Sequence, residues 1–243
     1  MRGPRRPRVL VIGLGGLGSP AALAIARSRP IHLTLVDDDS VDESNLHRQI
    51  LFESSDVGRP KVEVAAERLK DAARREGHRI SVQSIASRFL PANAAELAAE
   101  STILLEGSDN FATKFLAADT ARLLDKPVVQ AGSVRWYGWS LSTIPKHTAC
   151  LRCVFEDIPR GVPETCASAG VVGPVVGVLG AIQAWSALRI LRGDYEDAGQ
   201  LIHYDGSRSR LTKRVIQRRT DCPLCLTDAP SLDRSQCGQS VLR

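Results

Sequence analysis

Two cysteine pairs, Cys150-x-x-Cys153 and Cys222-x-x-Cys225, carry the tightest chemical spacing in this 243-residue chain. Together they offer four thiolates, the donor set of a closed, tetrahedral structural Zn²⁺ site. A redox dithiol or idle thiols are the competing readings. The N-terminus is basic but has no apolar stretch ending in small residues, so it does not read as a secretory signal. A reducing, cytoplasmic setting is expected, and there paired cysteines bind metal more often than they form disulfides. Two cysteines stand apart. Cys166 precedes a glycine-rich stretch, and Cys237 sits in an unpatterned tail as an exposed thiol.

The second chemical signal is Gly13-Leu14-Gly15-Gly16-Leu17-Gly18, directly after the apolar run Arg8 to Ile12 and before an alanine-rich stretch. Strand, glycine turn and helix in that order aim backbone N–H groups at an anion. Asp37 ends the next apolar run, 19 positions beyond Gly18, close to the spacing of an acid that takes ribose hydroxyls in a βαβ unit. The turn alone leaves the ligand open. A nicotinamide dehydrogenase would use the same residues, and tight helix-to-strand packing would need the same glycines.

The residues that follow narrow the choice. Asp37-x-Asp39-x-Val41-x-x-Ser44-Asn45-Leu46-x-Arg48-Gln49 leads into Asp56-Val57-Gly58-x-Pro60-Lys61, and Ser108-Asp109-Asn110 comes later. With the glycine turn, this ordered set resembles the ThiF/MoeB/HesA family, bacterial relatives of the ubiquitin-activating enzymes, over about Arg8 to Cys225. The resemblance implies an adenylyltransferase that uses ATP and Mg²⁺ to activate the C-terminal Gly-Gly carboxylate of a ubiquitin-like sulfur carrier protein. Gly13, Gly15, Gly16, Gly18, Asp37, Ser44, Asn45 and Asn110 would line the nucleotide. Arg48 and Lys61 would neutralise the leaving pyrophosphate, with Asp109 holding Mg²⁺. The attacking carboxylate is already ionised at neutral pH and needs no general base. Taken singly, Lys61 could be a solvated helix-start lysine, Arg48 a surface ion-pair partner and Asp109 the cap of the next helix. Asp38, Asp39, Asp42 and Glu43 read as solvated loop charges or strand-end contacts.

The resemblance also gives the cysteines roles. Many relatives carry the two Cys-x-x-Cys pairs remote from ATP, where zinc would pin the C-terminal strands. Such a site is worth on the order of 10 kcal/mol in small metal-dependent peptides. Cys166 stands at the thiamin-type position, where a thiolate attacks the activated carrier; its alternative is a loop thiol without catalytic duty. Relatives usually have an N-terminal helix whose arginine reaches ATP in the neighbouring subunit of a dimer. Here Arg5, Arg6 or a partner subunit would have to supply it. A homodimer is expected by resemblance, and sulfur would come from a separate donor. The remaining alternatives are adenylylation of a peptide or other protein C-terminus in specialised metabolism, a NAD-dependent oxidoreductase, and a noncatalytic binding subunit.

These groups need a scaffold, and apolar periodicity supplies one. Strands are expected at Arg8–Ile12, Ile31–Val36, Ile80–Ser84, Thr102–Glu106 and Pro127–Ala131. Helices are expected after Gly18, at Pro60–Arg75, Asn93–Ala99 and Phe111–Leu124. The alternation predicts an α/β fold: a Rossmann-like, mostly parallel sheet with helices on both faces. After Ser133 the texture changes to hairpin-like strands at Trp136–Ile144, Leu201–Tyr204 and Leu211–Ile216, an antiparallel extension ending in the zinc-pinned region. Trp136, Tyr137 and Trp139 read as core or interface packing. The organisation is therefore 1–133 for ATP binding, 134–226 for the carrier and zinc within the same domain, and 227–243 as a flexible tail.

Composition agrees with a globular domain: 43% hydrophobic and 24% charged residues exclude a disordered or collagen-like chain. The net charge of +5 suits anionic partners without requiring nucleic acid. From Thr165 to Leu188 no residue is charged, long enough to consider a membrane span. The glycines, Pro174, Gln183 and Ser186 make it a buried helix instead, so no membrane partner is expected.

Overall fold

The computed structural model describes residues 6–156 and 170–226. In chain order these form β1 (Arg8–Ile12), α1 (Gly18–Ser28), β2 (His32–Val36), two 3₁₀ turns (Glu43–Asn45 and Ser54–Asp56), α2 (Lys61–Arg75), β3 (Ser81–Ile85) and α3 (Ala94–Ala98). They continue with β4 (Ile103–Glu106), α4 (Phe111–Leu123), β5 (Val128–Val134), β6 (Tyr137–Thr143), α5 (Leu151–Val154), α6 (Gly173–Ile190), β7 (Gln200–Asp205), β8 (Arg210–Val215) and α7 (Pro223–Leu226). The strands and long helices fall within a few residues of the expected ones. The two four-residue helices, α5 and α7, had no periodic signal: each is the single turn of a Cys-x-x-Cys pair.

All eight strands join one sheet in the order β3-β2-β1-β4-β5-β6-β7-β8. β1 to β5 pair in parallel, and β6, β7 and β8 add an antiparallel edge. The sheet is continuous, and the division after Ser133 falls inside β5, whose Val134 pairs with Tyr137 of β6. β1 after Arg8, and β4 up to its last residue Glu106, are apolar on both faces because helices cover both. One face packs Leu33, Leu35 and Leu105 with Ile25 of α1, Leu69 of α2 and Ala187 of α6. The other packs Leu10, Ile12 and Leu104 against Leu116 and Ala117 of α4.

α6 carries most of the uncharged run and ends just beyond it, with Arg189 in its last turn. Proline occupies its first turn, where the missing N–H costs no helical bond. Among the described residues it is long and apolar enough to cross a membrane, yet half of it is buried inside the protein. It packs against α1, β5 and β6. Gln183 is fully buried on it, and a Cβ on Gly180 would meet the Leu17 carbonyl oxygen at 2.6 Å. At the tip between β5 and β6, Trp136 and Tyr137 are about half exposed, whereas Trp139 packs its ring 5.2 Å from that of Phe155.

The strand order reverses beside β1, so the connections leaving β1 and β4 run to opposite sides and a crevice opens at their carboxyl ends. Two glycines make that geometry possible. Gly13 takes a φ of +85°, and a Cβ there would lie 3.0 Å from the Ser108 nitrogen; a Cβ on Gly18 would lie 1.9 Å from the Gly13 oxygen. Gly18→Ala must push the turn apart. It is expected to destabilise the fold by at least ~1–3 kcal/mol, the cost of overpacking, read as a lower urea midpoint with unchanged slope.

Candidate active site and metal centre

The crevice beyond β1 and β4 is a cleft lined by Gly13, Gly15, Gly16, Asp37, Asn45, Arg48, Lys61, Asp109 and Asn110. Residues distant in sequence meet there because the parallel strands all end on that side. Gly18 lies behind the turn against Gly13, and Ser44 lines an adjoining cavity that shares Asn45, Arg48 and Lys61 with the cleft. Cys166 and Cys237 lie outside the described residues.

Asp37 clamps the glycine turn. Its carboxylate accepts the N–H of Leu14 at 2.6 Å and that of Asp39 at 2.9 Å. Burial raises its pKa above the ordinary carboxylate value, and Lys61 with the two N–H groups partly opposes this. Asp39 is more than a solvated loop charge. It accepts from Lys61 Nζ at 2.7 Å, and Lys61 itself is buried, its side chain 5% exposed. Lys61 is therefore a fixed cation in the cleft wall rather than a solvated helix-start lysine.

Arg48 is held differently. Its guanidinium donates to the Ser44 carbonyl and to Asn45 Oδ1, both neutral, and it has no carboxylate partner among the described residues. Among the described residues, then, Arg48 is held by neutral acceptors rather than by an ion pair. Asp109 is not the helix cap either. Asn110 caps α4, its Oδ1 accepting the Thr113 N–H at 2.8 Å. The Asp109 carboxylate is exposed at the cleft rim without a side-chain partner among the described residues. An unpaired carboxylate facing a phosphate-sized space is a hard oxygen donor suited to Mg²⁺.

Sequence reasoning missed part of the lining. Ser87, Arg88, Phe89, Leu90 and Pro91, after β3, form one wall, with Arg88 Nε donating to Asp38 at 2.7 Å. No motif marks that loop; it reaches the cleft because β3 lies beside β2. Val171 and Val176, at the start of α6, contribute another side. Gln49 is buried against the turn, and its place in the Asn45-to-Gln49 motif was the available signal.

The four paired cysteines converge. Sulfur separations are 3.8 Å for Cys150 to Cys153, 3.5 Å for Cys150 to Cys222, 3.4 Å for Cys150 to Cys225 and 3.6 Å for Cys153 to Cys225. A tetrahedral ion with bonds near 2.3 Å requires about 3.8 Å between sulfurs. The donor set therefore fits Zn²⁺ in kind, number and arrangement. Burial, then the three neighbouring thiols, pushes the Cys150 thiol far above its usual range, whereas at Cys153 burial is outweighed by the backbone N–H groups of Arg219 and Cys150 and the side chains of Cys225 and Cys222, which pull its thiol down. The Arg219 N–H donates to Cys153 Sγ at 3.5 Å, as expected around a sulfur anion. Buried contacts tie the centre to α4: Arg152, inside the first pair, makes a two-pronged bond to Asp119 at 2.9 and 2.8 Å, and Arg122 Nε donates to the Leu224 carbonyl.

A doubly covered parallel sheet, with a glycine turn, a ribose-type acid and two cations at its reversal point, defines a nucleotide-binding α/β protein. Residues 4–224 match the ThiF family, and the chain belongs to that family. It is 38% identical over 220 residues to the sulfur carrier protein ThiS adenylyltransferase of Escherichia coli (strain K12), covering 90% of this chain and 85% of that protein. It is 34% identical over 220 residues to the SAMP-activating enzyme E1 of Haloferax volcanii, covering 90% of this chain and 80% of the relative. The crystal structure of E. coli MccB has the same fold, with a TM-score of 0.78 at 22% identity over 90% of this chain and 65% of that one.

Cys150→Ser is expected to lose bound Zn²⁺ and to melt at lower temperature, measured by metal analysis and thermal unfolding. Full metal content in the folded variant would overturn the zinc assignment.

Proposed function

We propose that this chain is an adenylyltransferase that joins AMP from ATP to the C-terminal Gly-Gly carboxylate of a ubiquitin-like sulfur carrier protein. The observation that carries the reading is the pairing of Lys61, buried in the cleft wall, with Arg48, a cation without a carboxylate partner among the described residues. The E. coli relative, an adenylyltransferase of the sulfur carrier protein ThiS, and the H. volcanii SAMP-activating enzyme support it.

The chemistry follows from the positions. Asp37 accepts the ribose hydroxyls, placing the sugar beside the glycine turn, and the phosphates extend toward Arg48 and Lys61. A carrier carboxylate oxygen attacks the α-phosphorus, the bond to the bridging oxygen breaks, and pyrophosphate leaves with the electron pair. The two cations neutralise the growing charge on that leaving group. Asp109 would hold Mg²⁺, which supplies further neutralisation of the phosphate oxygens. The product is the carrier's acyl adenylate. Cys166 is the thiol proposed to attack the acyl carbon of that adenylate, forming a thioester as the bond to AMP breaks and AMP leaves; the carrier's sulfur would come from a separate donor. The protein is proposed to act as a cytoplasmic homodimer.

Incubation with ATP, Mg²⁺ and Gly-Gly-ending carriers is expected to give carrier-dependent exchange of labelled pyrophosphate into ATP. Arg48→Ala should lower that exchange about 10²–10³-fold, the usual cost of deleting one charge-stabilising donor. No exchange with any carrier, together with nicotinamide reduction, would replace this reading by a dehydrogenase.

A further inference from the structure

Behind the exposed rim of the cleft lies a buried ion pair that the chemistry above does not use. Glu106, at the carboxyl end of β4, is 0% exposed, and Lys114, on the second turn of α4, is 4% exposed. Lys114 Nζ lies 3.0 and 3.3 Å from the two carboxylate oxygens. It also donates to the Ser108 carbonyl at 2.7 Å and to the Ala131 carbonyl, so all three of its protons have acceptors. Glu106 Oε1 accepts both the Ser108 N–H at 2.7 Å and the Ser108 hydroxyl at 2.5 Å. The backbone of Glu106 is fixed in turn by Gln183 of α6, whose Nε2 donates to the Glu106 carbonyl at 2.7 Å.

A buried ion pair contributes little to stability compared with apolar side chains of the same size, because desolvation cancels most of the attraction. Placement distinguishes this one. Both partners grip the same residue, the carboxylate holding the N–H and hydroxyl of Ser108 and the ammonium holding its carbonyl. The peptide planes on either side of Ser108 are thereby locked, and the second of them carries the nitrogen of Asp109. On the other flank Asn110 is locked by its bond to Thr113. Asp109 thus stands between two pinned neighbours with its own carboxylate unpartnered among the described residues and turned to the cleft rim. Mg²⁺ demands near-ideal octahedral oxygen geometry, so a carboxylate held in one orientation binds it better than a mobile one.

We infer that Glu106 and Lys114 are positioning residues which, through Ser108, hold Asp109 in the orientation that receives the magnesium ion of the nucleotide. The inference rests on the reading of Asp109 as the cation ligand. It makes the buried pair a determinant of magnesium affinity rather than of folding.

The test is nucleotide binding by the full chain, followed by displacement of a fluorescent ATP analogue over a series of free Mg²⁺ concentrations. Glu106→Leu combined with Lys114→Met replaces the pair by apolar groups. This double variant is expected to melt as cooperatively as the unsubstituted protein and to bind ATP without Mg²⁺ within about twofold of it. It should need at least tenfold more Mg²⁺ for half-maximal enhancement of ATP binding. Ser108→Ala deletes only the hydroxyl bond to Glu106 and should shift the requirement two- to threefold in the same direction, keeping the test open even if the double variant folds poorly. Asp109→Asn should also raise the requirement, and adding the apolar pair to it should raise it no further. A folded double variant with an unchanged magnesium requirement, or shifts that multiply with that of Asp109→Asn, would overturn the inference and leave Asp109 as the ligand. No response to Asp109→Asn would remove the underlying reading of Asp109, and the inference with it.

Discussion

The nucleotide half of this molecule depends on one close approach between two stretches of backbone. The turn Gly13 to Gly18 and the segment Gly107–Ser108 press together so closely that a Cβ on Gly13 would lie 3.0 Å from the Ser108 nitrogen and one on Gly107 2.8 Å from the Gly18 nitrogen. Interiors packed at crystal density do not yield to such an intrusion. The contact brings the ends of β1 and β4 together at the point where the strand order reverses. It therefore sets the glycine turn and Asp109 on opposite lips of one cleft. Asp37 closes the arrangement from the side by taking the Leu14 N–H.

α4 joins the two chemical centres. Its first residues follow Asp109 and Asn110, its second turn carries Lys114, and its later turns carry Asp119 and Arg122, which grip the two cysteine knuckles. Phe115 and Ala118 pack in the same cluster as Cys150, Cys222 and Leu224. A metal bound by the four cysteines would hold α5 and α7 together and so also fix the surface against which α4 lies. The antiparallel edge gains as well, since β8 leads directly into the second cysteine pair. α6 backs the cleft from the other face, where Val171 and Val176 reach the nucleotide side and Gln183 anchors the end of β4. The face it turns to α1 and the sheet is uncharged, and its one charge, Arg189 in the last turn, pairs with Asp194 and Asp197.

Much of this was legible in the chain itself. Apolar runs between turn signals located the parallel strands, most cleanly β1, where helices cover both faces and only its first residue, Arg8, is charged. The residues around the cleft were legible because motif spacing is a local property: Gly13 to Asp37 spans a single βαβ unit, and Ser44 to Lys61 a single connection. The cysteine pairs were legible for the same reason, although their convergence across some seventy intervening positions was an inference from chemistry and resemblance.

The sequence by itself determined which residues come together around the cleft and which could hold a metal, since those features are set by residue type within short stretches. Tertiary structure alone decided who neutralises whom. Asp39 rather than solvent pairs with Lys61, Asn110 rather than Asp109 caps α4, and Arg48 has no carboxylate partner among the described residues. The unmarked loop from Ser87 to Pro91 became a wall of the cleft only because β3 lies beside β2. Glu106 and Lys114 could be recognised as a pair only after β4 and α4 packed together. The physical reason is common to all of these: hydrogen bonds and ion pairs act over a few ångströms, and sheet order decides which distant residues come within that range.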